Sequence, residues 1–219
     1  MNKARKLYAI ALAGSMVCCL AGCSLFVMTG KMIFGNPLVP STFRSKTGVD
    51  LANGKSTLLI VCSTPESIKS EVPSIDFDLI DGIARRLKQN GIDFINPDQV
   101  ANWLGDNGGF DNPSELARDF DADYLVHFNL EQIAFREENS PMMLRGRISG
   151  TVSVYQIETI DGQKRTRQVF IEDYHTKYPK LYPDSADEIS MRVFQQRFLN
   201  LIGDQLSRYL CDYRPDQDL

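Results

Sequence analysis

The chain has 219 residues, with 24 Lys and Arg against 28 Asp and Glu, and a formal net charge of −4. That balance argues against nucleic acid and against a body that hugs anionic headgroups. With 43% apolar residues the composition is that of an ordinary globular protein, and the length suits one domain plus a tether.

Lys3, Arg5 and Lys6 form a basic start, and an uncharged run from Leu7 to Leu20 follows. A basic region, a short apolar region and small residues at a cleavage point predict an export signal over residues 1–22. Leu20-Ala21-Gly22-Cys23 resembles the bacterial lipobox. The resemblance implies that Cys23 becomes the lipidated first residue of the mature protein. Cys18 and Cys19 lack the preceding small residue. Bacterial lipoproteins typically carry more than one acyl chain, and several chains hold a protein firmly to a membrane where one does not. Because no charge occurs from Leu7 through Gly30, a transmembrane helix is the competing reading. Both place the body outside the cytoplasm. Ser24 stands where an Asp would retain many lipoproteins in the inner membrane, so the outer membrane is favoured where there are two. Removing the signal takes three basic residues and no acid, leaving 21 basic against 28 acidic.

Residues 23–55 read as a tether, with Gly30, Gly35, Pro37, Pro40, Gly48 and Gly54 and no sustained period. Its stretch from Leu25 to Phe34 is too apolar for a freely solvated linker. A single α/β domain is expected over 56–211, with a polar tail over 212–219. Thr57 to Cys62 is a continuously apolar run that suits a buried central strand. Ser74 caps an expected helix facing inward through Leu79, Ile80, Ile83 and Leu87 and stopping at Gly91. Ile92 to Ile95 is a second strand. Asn96-Pro97 and Asn112-Pro113 each open a short helix.

Tyr124 to Phe135 alternates as a strand, with a phase shift at Ile133 that predicts a bulge. Leu144 to Thr159 and Arg165 to Tyr178 are joined by the hairpin signal Asp161-Gly162. A two-residue turn there puts Val154 opposite Val169, Val152 opposite Ile171 and Ile148 opposite His175. Ser185 to Glu188 has a capping-box pattern ahead of a long helix running to about Leu210. The order is β-α-β-α-β-β-β-α: a mixed sheet, parallel then meandering, with the last helix on one face. Ile60, Val61, Val126, Val152, Val154, Phe194 and Ile202 are the expected core.

This order is similar to that of exported lipoproteins such as the curli-secretion channel protein, the penicillin-binding-protein activator lipoprotein and the amino-terminal domain of the Tol-system β-propeller protein. The carrying residues are Leu116-Ala117 and Ala122-Asp123 followed by Tyr124-Leu125-Val126. Where those proteins often continue into glycine, this chain has His127 and Asn129. The resemblance implies a fold and a largely non-enzymatic group, and it transfers no catalytic residue.

Gly48 to Ser56 misses the P-loop spacing by one residue and precedes a strand, so no nucleotide is expected. There is no Gly-x-Ser-x-Gly, Cys-x-x-Cys or His-Glu-x-x-His, and no metal or cofactor is expected. The two histidines, His127 and His175, would serve a hydrolase of wall polymer or peptide only if they met in a cleft. Cys62 and Cys211 are either a disulfide in an oxidising compartment or two unrelated buried thiols. The assumed register gathers Arg145, Arg147, Tyr155, Tyr174 and Tyr178 into a face rich in the types enriched at interfaces. The leading expectation is a non-enzymatic envelope protein, held to the membrane through lipid on Cys23, that binds another envelope protein.

Overall fold

The computed structural model describes residues 37–53 and 55–215. The export signal, Cys23, the tether to residue 36 and residues 216–219 lie outside the described residues. Pro40–Asp212 form one compact unit; Val39 and Tyr213 belong to a second, where they pair as an antiparallel bridge.

The larger unit begins with a short helix, α1 (Thr42–Thr47), capped by Ser41 and ended by Gly48 in the left-handed region. Strand β1 (Thr57–Ser63) is buried throughout its centre. Helices α2 (Glu66–Glu71) and α3 (Ile75–Gln89) lead to the two-residue β2 (Asp93–Phe94). Helices α4 (Pro97–Asn107) and α5 (Pro113–Asp119) follow, each with an Asn side chain accepting from the second helical N–H and a Pro at the first position. Long strands β3 (Tyr124–Glu137), β4 (Ser140–Ile160) and β5 (Gln163–Tyr178) form the meander. The short β6 (Asp184–Ser185) and the helix α6 (Met191–Ser207) complete the chain.

The sheet order is β2-β1-β3-β4-β5, with β6 on β4. β1 is parallel to β2 and β3, and the rest is antiparallel. The mixed α/β sheet with a covering carboxyl-terminal helix is therefore as the sequence predicts. Alternation on β1 divides the core. Leu58, Ile60 and Cys62 face the larger cluster under α3 and α6. Leu59 and Val61 face a smaller one with Val100 and Leu116 from α4 and α5. All seven expected core residues are buried, but Val61 lies in the smaller core, across the sheet from the other six.

Three expectations are corrected. The stretch read as tether contains α1, whose Phe43 is fully buried with its ring edge-on to Tyr124 and Phe170, so the folded body begins near residue 40. The last helix starts at Met191 behind the cap Ser190, because Ser185 is taken up by β6 pairing with Met143. The expected hairpin turn is present, with Asp161 and Gly162 both at positive φ, 52° and 76°. The register then shifts between Val154 and Tyr155, so Val154 faces Phe170, Val152 faces Glu172 and Ser149 faces His175. Val169 is the extra residue, and everything beyond it on β5 changes face.

The sequence leaves two readings of the cysteines open, and the structure has the second. Cys62 and Cys211 are both free and buried. Cys62 Sγ lies 3.8 Å from Thr64 Oγ1, whereas the Cys211 N–H donates to the Ser207 carbonyl in the turn after α6. Burial, reinforced by Asp76, pushes the Cys62 thiol up, and burial with Asp212 pushes Cys211 up to about 12. Neither is a ready thiolate.

Candidate functional site

The register shift decides the fate of the predicted Arg/Tyr face. Tyr174 turns inward, is 7% exposed, and donates from its hydroxyl to Gln205 Oε1 at 3.0 Å. Tyr178 packs its ring against Phe194 and Phe198, at 5.9 and 6.4 Å between centroids. Tyr155 packs into the smaller core. Arg145 Nε lies 2.7 Å from Glu137 Oε2, out of hydrogen-bond alignment, and Arg147 Nη1 reaches Glu137 and Glu138 at 3.1 and 3.3 Å. The five residues do not share a face, and the two arginines hold the tip of the β3–β4 hairpin.

The histidines are also apart. His127, on β3, sits between Val61 and Ser153 in register. His175 is exposed on β5, opposite Ser149. His127 Nε2 lies 2.8 Å from Ser63 Oγ, and its ring is edge-on to Phe110 at 5.3 Å. Burial pushes its pKa below the ordinary 6.5. The unfolded chain therefore takes up this proton first as pH falls, and stability declines below about pH 6.5 while staying flat above it. Thermal melts at pH 7.5 and 5.5 should show a drop that is smaller in His127→Gln; an equal drop would assign it to other groups.

Ser63 and Phe110 border a large concavity. It is a cleft of about 950 Å³ at the carboxyl end of β1 between α3 and α4. Its position follows from topology. The chain leaves β1 through α3 to β2 on one side, then returns over the other sheet face through α4 and α5 to β3 on the opposite side. In open α/β sheets such a reversal leaves a crevice outside the strand ends. The floor is Cys62, Ser63 and Phe94, and the walls carry Phe77, Ile80 and Leu104. Phe77 is 56% exposed. Five acids (Asp76, Asp78, Asp81, Asp98, Asp111) and three bases (Lys69, Arg85, Lys88) line it. Lys69 pairs with Asp76 at 3.1 Å and Arg85 with Asp81 at 3.4 Å, leaving three carboxylates against Lys88. A cleft of this sign repels phosphate and favours cations.

Sequence reasoning missed this cleft. The available signal was the mismatch between a seven-residue β1 and a following strand cut short by Asn96-Pro97.

No protein-family model and no curated protein matches the chain. Solved structures do. Protein XCC0632 from Xanthomonas campestris is similar at 11% identity and a TM-score of 0.47, over 80% of this chain and 91% of that one. The PelC dodecamer from Paraburkholderia phytofirmans gives 12% and 0.41, over 80% and 96%. Lipoprotein GNA1162 from Neisseria meningitidis gives 10% and 0.39, over 69% and 98%. At these identities and scores the likenesses bear on neither activity nor partner. Among the described residues, no helix is long and apolar enough to cross a membrane.

Proposed function

We propose that this is a non-enzymatic, lipid-anchored protein of the bacterial cell envelope, whose folded body binds or positions another envelope component. The observation that carries the reading is the amino terminus: Lys3, Arg5 and Lys6, the uncharged run to Leu20, and Leu20-Ala21-Gly22-Cys23. Cys23 is the lipid site, and Ser24 after it favours the outer membrane where there are two. The non-enzymatic part is supported by the separation of His127 from His175 on different strands. The binding part is supported by the cleft beside β1, which presents an exposed Phe77 and unbalanced carboxylates.

The test is Cys23→Ala, followed by metabolic labelling with palmitate and by membrane fractionation with an alkaline wash. The variant should lose the label and accumulate as an unprocessed or released species. A variant that stays in the washed membrane would instead favour a transmembrane anchor.

A further inference from the structure

We propose that the cleft takes an extended, basic peptide segment of another envelope protein, added as a short strand to the open edge of β1. This deepens the binding role proposed above and rests on it.

The edge is open because β2 stops early. β2 pairs with β1 only through Thr57 and Leu58. The Ile95 N–H donates to the Leu58 carbonyl at 2.8 Å, and two residues later Pro97 has no N–H to continue the ladder. The Thr57 carbonyl points the other way, accepting from the Asp123 N–H at 2.9 Å. Alternation then aims the backbone groups of Ile60 and Cys62 to the same side as Leu58. Among the described residues, no strand pairs with β1 on that side beyond Leu58. Cys62 itself lies on the cleft floor. A strand edge with free N–H and C=O groups is a template for another chain, and strand addition is a recurring mode of peptide recognition.

The walls supply the rest. A strand laid along β1 sends alternate side chains toward the two sheet faces, here toward α3 with Phe77 and Ile80 and toward α4 with Leu104. The surplus carboxylates Asp78, Asp98 and Asp111 fix the sign of the occupant's charge. Another backbone complements the edge, and a basic one complements the walls.

The experiment uses the full-length lipidated protein in detergent micelles. Short random peptides displayed on phage are selected against it, with Ala101→Trp, which fills the cleft, as counter-target. The selected peptides should alternate apolar residues with Lys or Arg. In fluorescence polarisation with the best labelled peptide, the triple change Asp78→Asn, Asp98→Asn, Asp111→Asn should weaken binding about tenfold or more. N-methylation of alternate peptide amides should abolish binding in one register and spare it in the other. Selection with no enrichment over the filled variant, equal effects of both methylation registers, or unchanged affinity in a folded triple variant would each overturn the proposal. Cys23→Ala should bind the peptide as the parent does, so failure of the anchor and failure of the cleft are read separately.

Discussion

Phe198→Ala should lower the unfolding free energy by about 3–5 kcal/mol, because its ring is fully buried and sits among Phe135, Tyr178 and Phe194 at 6.1, 6.4 and 6.4 Å. Domains of this size are stable by about 5–15 kcal/mol, so this one truncation removes much of the margin. Urea unfolding followed by circular dichroism measures it. The site also offers an internal check. A Cβ placed on Gly146 would meet the Phe198 ring at 2.5 Å. Gly146→Ala should therefore be destabilising alone and far less so beside Phe198→Ala, giving a favourable coupling in the double-mutant cycle. Additive losses would show that the ring does not rest on that glycine.

Gly150→Ala should be at least as damaging as an ordinary core change, by about 3 kcal/mol or more. The added Cβ would lie 2.2 Å from the Asn129 carbonyl oxygen, a backbone atom that cannot swing aside. Gly150 stands opposite Leu130, where the β3 register shifts, so strand and bulge would have to move together. Gly105→Ala is the matched control. Nothing lies within 4 Å of a Cβ at that position on α4, and the change should stabilise by about 1 kcal/mol. Comparable urea midpoints for the two variants would refute the close approach at Gly150.

Much of this fold is legible in the sequence where one signal dominates. The apolar run of β1, the two Asn-Pro helix starts and the Asp161-Gly162 turn all form where expected. The lapse on β5 has a local cause. Val169, Phe170 and Ile171 are consecutive and apolar, so a two-residue period cannot say which of them faces the core. The structure buries Phe170 and leaves Ile171 57% exposed. That single shift carries Tyr174 and Tyr178 from the expected interface into the core. Helix α1 was hidden because only Phe43 of its six residues is buried, too little to make a period. The cleft was hidden for a different reason: it depends on how far two strands run beside each other, and no local pattern records that.

The glycines on α3 and α6 set the mechanics of that cleft. A Cβ on Gly203 would come within 3.4 Å of the Gly82 backbone, so the two helices cross at close range. Arg86 clamps the crossing, reaching Asp204 at 3.0 Å and the Asn200 carbonyl at 3.2 Å. The opposite wall, α4, has only Val100 buried and rests on the smaller core. The cleft thus has one stiff jaw and one compliant jaw. Any widening falls on α4 and on Gly108 and Gly109 at its exit, both already at positive φ, while α3 serves as the fixed anvil.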